Sequence, residues 1–245
     1  MTSITLPRLA YELLRQVRTY EKPLNYAEGY KVTSKFLRDC FDYSVNGKEN
    51  IPCGKYVVCS NHTSFLDMLV LGEAFYPDKL KFLAKPAFFE YELICRKAMR
   101  KMHLAAVFGE SAAKCGKIVT EYILEWGAER IDPKNVTKSD LKKYINLAKE
   151  NILMIFPEGH RTKTGEMQPL QPGAMLIAQK SKNPIIPVAI EGTFQFWKDF
   201  WYKERKITVN IGEPMHPADY KKTEDALNEL ERRIKKLSIG NHSTF

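Results

Sequence analysis

The chain has 245 residues, of which 44% are hydrophobic, and its formal net charge at pH 7 is +9. It is long enough to bury a sizeable core, and because it contains no linker, repeat or low-complexity tract we expect a single domain. The positive charge favours an acidic partner. Since no RNA- or DNA-binding signature accompanies this charge, we predict an anionic membrane surface and no nucleic acid.

The first predicted element is an amphipathic helix close to the N-terminus. Arginines occupy one helical face, and the other face carries Leu6, Leu9, Ala10, Leu13, Leu14 and Val17. This pattern is typical of a helix that lies in a membrane interface, and a helix packed on the core would show it equally well. We assign residues 1–44 to a helical, membrane-facing segment and residues 45–245 to the core.

The chain lacks the sequence features of a membrane-spanning or exported protein. No stretch of about 20 apolar residues is present, so we predict no transmembrane helix. The first residues do not have the basic region, apolar run and cleavage site of a secretory signal. The five cysteines are scattered, which indicates reduced thiols. We therefore expect a peripheral protein on the cytoplasmic face of a membrane.

Strand-like and helical patterns alternate along the rest of the chain. Buried strands are predicted at Tyr56–Cys59, Leu80–Ala84, Ile152–Phe156, Ile185–Ile190 and Ile207–Ile211. Helices are predicted at Thr137–Lys149, with Thr137 and Asp140 as a capping box, and at Asp225–Leu237. This alternation predicts an α/β fold with a largely parallel sheet that is flanked by helices.

The first predicted strand leads into Ser60-Asn-His-Thr-Ser-Phe-Leu-Asp67, at a strand-to-helix junction. If Asp67 accepts the Nδ1 proton of His62, Nε2 is free to take a proton from a hydroxyl that attacks a carbonyl group. The alternative is a histidine that caps a helix with Asp67 in its first turn. For the oxyanion, the candidate donors are the backbone N–H groups after His62 or those near Gly159.

A second charged turn, Pro157-Glu-Gly-His-Arg161, follows the strand at Ile152–Phe156. Arg161 offers a planar fork of donors that suits a phosphate or a carboxylate, and Gly159 lets the backbone approach a ligand closely. Glu158 can fix Arg161 or a substrate hydroxyl, and a purely structural ion pair between the two is the alternative. Both turns should meet at one edge of the sheet.

These motifs resemble those of the glycerolipid acyltransferase family, and the likeness runs through most of the chain. Asn61-His62 through Asp67 matches the family's His-x4-Asp motif, and Phe156–Arg161 matches its acceptor-binding motif. Further matches, in the family's order, are Val45–Pro52, Thr164–Glu166, Pro172–Ala174 and Ile186–Ile190, the last of which contains Pro187. Within the family, the chain resembles the 1-acyl-sn-glycerol-3-phosphate (lysophosphatidic acid) acyltransferases.

The resemblance implies one acyltransferase domain that moves a fatty acyl group from acyl-CoA or acyl carrier protein to lysophosphatidic acid, giving phosphatidic acid. It implies His62 as the general base and Asp67 as its orienter, without a covalent acyl-enzyme. The substrate-binding residues that it implies are Glu158, Gly159, Arg161, Arg130 and Pro187. No cofactor is expected besides the thioester co-substrate, and no metal ion, because the histidines lack ligand spacing.

The chain departs from the family pattern between its two main motifs. Pro133 stands where the second motif usually has an arginine for the acceptor phosphate. Arg130 or Lys134 could supply that charge, although neighbouring strand residues point to opposite faces. The acceptor could therefore also be glycerol-3-phosphate or another lysolipid. An apparent helical insert around residues 86–127 contains the basic stretch Tyr91–Met102, which could contact lipid, face solvent or bind the phosphates of coenzyme A.

Two other classes of function remain open. A thioesterase or lipid hydrolase could use the same dyad on water, and it would release fatty acid as fast without an acceptor as with one. A non-catalytic module that binds lipid or polyanions would account for the positive charge and the amphipathic N-terminus, and it would consume no thioester.

Overall fold

The computed structural model describes residues 25–86, 124–132, 135–195 and 205–239. In these ranges the strands are β1 (Asp42–Asn46), β2 (Val57–Ser60), β3 (Leu80–Ala84), β4 (Ala128–Arg130), β5 (Ile152–Ile155), β6 (Ile185–Glu191) and β7 (Lys206–Ile211). They are accompanied by helices α1 (Tyr26–Cys40), α2 (Leu66–Ala74), α3 (Lys138–Glu150), α4 (Gly173–Ser181) and α5 (Thr223–Ile239). Two short 3₁₀ turns lie at Lys48–Asn50 and Pro217–Asp219.

The strands form one sheet in the order β1-β7-β6-β2-β5-β3-β4. Neighbouring strands are parallel except β6 and β7, which are antiparallel. The predicted α/β fold with a largely parallel sheet is confirmed. All five predicted strands are present, but β1 and β4 were not predicted. Both are short edge strands that lack an apolar run, so that hydrophobic pattern alone does not reveal them.

Helices cover both faces of the sheet because successive strand residues point to opposite sides. Val58 belongs to the core on one side, together with the apolar residues of α1 and α2. Val57 and Cys59 belong to the core on the other side, against α3, α4 and α5. The central strands β2 and β6 are buried on both faces, as is usual for parallel sheets.

Two of the helices, α1 and α3, begin at a capping box. The predicted capping box of α3 is confirmed, because the Thr137 hydroxyl accepts the Asp140 N–H and the Asp140 carboxylate accepts the Thr137 N–H. Asn25 and Glu28 form the same arrangement at the start of α1. Such caps satisfy backbone N–H groups that have no partner within the helix.

Helix α1 packs against the core through Leu37, which is fully buried, and an Arg38–Glu73 ion pair of 2.8 Å joins it to α2. The sheet begins at Asp42, slightly before the predicted boundary between residues 44 and 45. The predicted helix at residues 6–17, and residues 87–123 of the predicted insert, lie outside the described residues. The single domain stays a prediction. Within the ranges that the structure describes, no helix is long and apolar enough to cross a membrane.

Candidate active site

The two predicted motifs meet at one edge of the sheet. Strands β2 and β5 are parallel neighbours, with Cys59 in register with Ile155, so the segments that follow them emerge side by side. A backbone hydrogen bond of 2.9 Å from Thr162 to the His62 carbonyl joins these segments. The site therefore lies at the carboxyl ends of adjacent strands, where ligands commonly bind in open α/β sheets.

A cavity of about 610 Å³ opens at this edge, within the usual size range for sites that bind small molecules. Most of its lining is apolar and aromatic, and includes Phe65, Met68, Leu83, Ile131, Ile155, Phe156 and Phe194. Polar and basic groups at its wall include His62, Thr63, Lys85, His160, Arg161 and Lys163. An apolar chain and an anionic group can both be accommodated in such a space.

His62 and Asp67 form a hydrogen-bonded pair. The distance from the His62 Nδ1 to the Asp67 Oδ2 is 2.9 Å. Because a carboxylate can only accept, Nδ1 donates its hydrogen, and in the neutral imidazole Nε2 is then the acceptor nitrogen. The imidazole stacks on the Phe156 ring with centroids 3.9 Å apart and an interplanar angle of 11°, which fixes its plane. His62 thus has the tautomer and the orientation that a general base requires.

The fully buried Asp67 carboxylate accepts hydrogen bonds on both oxygens. Its Oδ2 also accepts the backbone N–H of Thr63 at 2.7 Å and of Ser64 at 2.8 Å, and its Oδ1 accepts the Thr193 hydroxyl at 2.6 Å. Four donors compensate for taking this charge out of water. Asp67 lies in the first turn of α2 and orients His62, but Phe65 is the N-cap residue of this helix and no side chain caps it, so the alternative of a helix-capping histidine is wrong.

The backbone on either side of His62 is also fixed. The Asn61 side chain makes two hydrogen bonds with the backbone of Ile190, of 2.9 and 2.8 Å, and so continues the pairing of β2 with β6. The N–H groups of Thr63 and Ser64 are used by Asp67, and that of Gly159 donates to the Phe156 carbonyl at 3.0 Å. These three amides, which are among the expected candidate oxyanion donors, are therefore already occupied, and the other N–H groups near Gly159 stay candidates.

Glu158 binds backbone and not Arg161. Its Oε1 accepts the His62 N–H and its Oε2 accepts the Gln168 N–H, both at 2.7 Å. Burial raises the pKa of Glu158, and the two N–H donors oppose that rise. The expected contact of Glu158 with Arg161 is absent from the described residues, and a contact of Glu158 with a substrate hydroxyl stays a prediction. Glu158 instead joins the second motif, to which it belongs, to the backbone of His62 in the first motif. Its other oxygen binds the loop that contains Gln168.

Arg161 lies at the cavity wall with its guanidinium carbon 3.5 Å from the centroid of the Phe65 ring. Among the described residues no carboxylate forms an ion pair with it, so the alternative of a structural Glu158–Arg161 pair is wrong. Burial lowers the pKa of Arg161, and the charge of Asp67 partly opposes this effect. Because a guanidinium stays protonated in proteins, this half-buried cation is suited to an anionic ligand.

Of the other predicted substrate-binding residues, Gly159 lines the cavity, and Arg130 and Pro187 do not. Gly159 lines the cavity with a φ of +72°, a backbone conformation that favours glycine. Arg130 ends β4 at the sheet edge and is not among the lining residues, whereas its successor Ile131 is, as expected for neighbours on opposite faces. Pro187 is buried within β6, in register with Cys59, and does not line the cavity. Lys134 lies outside the described residues.

Sequence reasoning missed two basic residues at the cavity wall, Lys85 and Lys163. Lys85 directly follows β3, the strand next to β5, and the rule that brought the two motifs together would have found it. Both Lys85 and Lys163 are exposed, and they add positive charge to the lining of the cavity that Arg161 also borders.

The described residues contain no thiol nucleophile or metal ligand set at this site. Cys59 is fully buried within β2, and burial raises the pKa of its thiol, which makes it a small core residue as expected. No group of three His, Cys, Asp or Glu side chains in the described part of the chain is placed to hold a metal ion. The absence of a metal requirement stays a prediction.

Comparisons with known proteins identify the family of this chain. The acyltransferase family model matches residues 42–191, more than half of the chain. The 1-acyl-sn-glycerol-3-phosphate acyltransferase of Bacillus subtilis is 32% identical over 201 residues, covering 79% of this chain and 86% of that protein. The Saccharomyces cerevisiae protein of the same name is 31% identical over 157 residues, 62% of this chain and 44% of that protein.

The fold also has a counterpart among solved structures. The crystal structure of the 1-acyl-sn-glycerophosphate (LPA) acyltransferase PlsC from Thermotoga maritima matches with a TM-score of 0.60 and 20% identity, over 97% of this chain and 83% of that one. Together with the family match and the relatives, this confirms the resemblance inferred from the motifs: the chain is an enzyme of the acyltransferase family.

Proposed function

We propose that the chain transfers a fatty acyl group from a thioester, acyl-CoA or acyl carrier protein, to the free hydroxyl of lysophosphatidic acid, giving phosphatidic acid and a free thiol. His62 acts as the general base and Asp67 as its orienter. The observation that carries the proposal is that His62, hydrogen-bonded to Asp67, borders the same largely apolar cavity as Arg161, a cation without an ion-pair partner in the described residues.

The dyad supports the attack of a hydroxyl on the thioester carbonyl. His62 Nε2 takes the proton of the acceptor hydroxyl as its oxygen attacks, and the tetrahedral intermediate then expels the thiolate, which receives that proton. Asp67 stabilises the imidazolium that forms in between. General base catalysis of this kind typically contributes ~10²–10⁴ in rate. The buried thiol of Cys59 has no part in this step.

The basic groups at the wall support a phosphorylated acceptor. Arg161 can bind two phosphate oxygens with its planar fork while its face rests on Phe65. Lys85 and Lys163 add charge at the same wall, and with Arg161 they can compensate for the family arginine that Pro133 replaces. The apolar lining suits acyl chains. The names of the Bacillus subtilis and Saccharomyces cerevisiae relatives support the same acceptor.

Thiol release from palmitoyl-CoA, with and without lysophosphatidic acid, tests the proposal. We expect release that depends on the acceptor and is matched by phosphatidic acid formed. Equal release without the acceptor would identify a hydrolase, and no release with any of palmitoyl-CoA, palmitoyl carrier protein, lysophosphatidic acid or glycerol-3-phosphate would favour the binding module. The two donors and the two acceptors are tested in all combinations.

We also propose that the chain acts at an anionic membrane surface, which its net charge of +9 supports. Co-sedimentation with vesicles measures this directly. We expect binding to phosphatidylglycerol vesicles that weakens as salt rises, and weaker binding to phosphatidylcholine vesicles. Equal binding to both lipids would contradict an electrostatic attachment.

A further inference from the structure

We propose that Thr193 is a positioning residue for the reaction, acting on the Asp67 carboxylate; the inference rests on the proposed function of the His62–Asp67 dyad. Thr193 is fully buried just after β6, and its hydroxyl lies 2.6 Å from the Asp67 Oδ1. It therefore holds the carboxylate oxygen that His62 does not use.

The direction of the two hydrogen bonds of the Thr193 hydroxyl follows from the fact that this group can donate only one. A hydroxyl has one hydrogen, and that of Thr193 goes to Asp67, which can only accept. The second contact of the Thr193 hydroxyl, 2.6 Å from the Thr63 hydroxyl, must therefore be donated by Thr63. A chain of hydroxyls runs from Thr63 at the cavity wall, through Thr193, to the buried Asp67.

This chain determines the rotation of the carboxylate. The three N–H donors of Asp67, from His62, Thr63 and Ser64, all bind Oδ2, and Thr193 is the donor that the structure places on Oδ1. Without the Thr193 hydroxyl, Oδ1 would be buried with no compensating donor among the described residues. The carboxylate could then turn about its Cβ–Cγ bond and misalign the imidazole, so the loss would act on proton transfer and not on substrate binding.

The turn before Thr193 is built to bring it to this position. Gly192 has a φ of +83°, and a Cβ there would lie 1.9 Å from the Lys206 carbonyl oxygen. Only glycine therefore permits this close approach of β6 to the start of β7. The following residues, Phe194 and Gln195, line the cavity, while the Thr193 side chain turns inward to Asp67.

Steady-state kinetics of Thr193→Val and Thr193→Ser, in the acceptor-dependent assay, test the inference. We expect Val to lower kcat by about 10–100-fold, the loss that is typical when the hydrogen-bond partner of a metal-binding side chain is removed. The KM values for donor and acceptor should stay near those of the wild type. Ser, which keeps the hydroxyl, should restore most of kcat. Should Val fail to fold, Thr193→Ala against Thr193→Ser gives the same comparison of presence and absence of the hydroxyl.

Thr208→Val is the matched control. Thr208 is also buried and shares a hydroxyl contact, of 3.3 Å with Ser44, but it lies outside the cavity in β7. A loss of kcat in Thr193→Val no greater than in Thr208→Val, or an equal loss in Thr193→Ser, would overturn the inference. If His62→Ala abolishes turnover in the same assay while Thr193→Val does not, the proposed function stands and only the inference fails. Full turnover in His62→Ala would overturn both.

Discussion

Glu158 accepts the backbone N–H of His62 at 2.7 Å, so the carboxylate of the second motif fixes the peptide that carries the imidazole of the first. The same carboxylate holds Gln168 with its other oxygen. Glu158, which the sequence predicts as a substrate-binding residue, thus also holds the backbone that carries the His62 imidazole.

Glu158→Gln should lower both kcat and stability. A glutamine has one acceptor oxygen and one NH₂ donor, so it can satisfy only one of the two N–H groups and confronts the other with a donor. Leaving a buried N–H without an acceptor costs about 1–3 kcal/mol. Thermal melts and steady-state kinetics measure the two effects.

Glu73→Gln is the control for this variant, because Glu73 is equally buried but is paired with Arg38 away from the cavity. It should lower the melting temperature and leave kcat nearly unchanged. If Glu158→Gln retained the wild-type kcat, the positioning role of Glu158 would be wrong.

Arg161→Ala should raise the KM for lysophosphatidic acid and leave the KM for the acyl donor nearly unchanged. The loss of a charge-assisted, two-pronged phosphate contact predicts a change of about 10-fold or more. Arg161→Lys should recover only part of the affinity, since an ammonium cannot form the planar fork. Steady-state kinetics with each substrate varied in turn separates the two KM values.

Arg232→Ala, at a surface arginine of α5, is the control for loss of positive charge. It should change neither KM. An equal rise in the acceptor KM for both variants would mean that overall charge, and not the position of Arg161, determines acceptor binding.

Contacts between residues that are close in the sequence could be predicted from it, whereas contacts between distant residues could not. His62 and Asp67 are five residues apart, and their pairing follows from local spacing at a strand end. The contact of Thr193 with Asp67 spans 126 residues, and that of Glu158 with His62 ends on a backbone N–H that has no sequence signature. Such contacts arise only when β2, β5 and β6 lie side by side.

The region around Arg130 also shows a limit of prediction from the sequence. Arg130 was predicted from its place in the sequence, but strand residues alternate between faces, and Ile131 occupies the cavity wall. The faces of a three-residue edge strand cannot be assigned without its register to β3. Lys85 follows a strand that was predicted correctly, so its place at the cavity wall could have been predicted from the sequence.

Glu229 provides a pH-dependent stability test away from the site. Hydrogen bonds from Arg232 and Arg233 lower its pKa to about 2. Its contribution to stability is therefore complete above the usual glutamate pKa of about 4.3 and is lost as the pH falls towards 2. Because Arg232 is exposed and Glu229 and Arg233 are only partly buried, solvent screens these ion pairs, and we expect a contribution of less than about 1 kcal/mol. Thermal melts of wild type and Glu229→Gln should differ at pH 7 and converge near pH 2. A difference that stayed constant with pH would contradict the ion pair.

The central claim is that His62 is the base for acyl transfer. The most direct test is phosphatidic acid formation from palmitoyl-CoA and lysophosphatidic acid by His62→Ala, with its melting temperature measured beside that of the wild type. We predict a loss of about 10²–10⁴-fold or more in kcat with an almost unchanged melting temperature. Wild-type turnover in a folded His62→Ala protein would contradict the account.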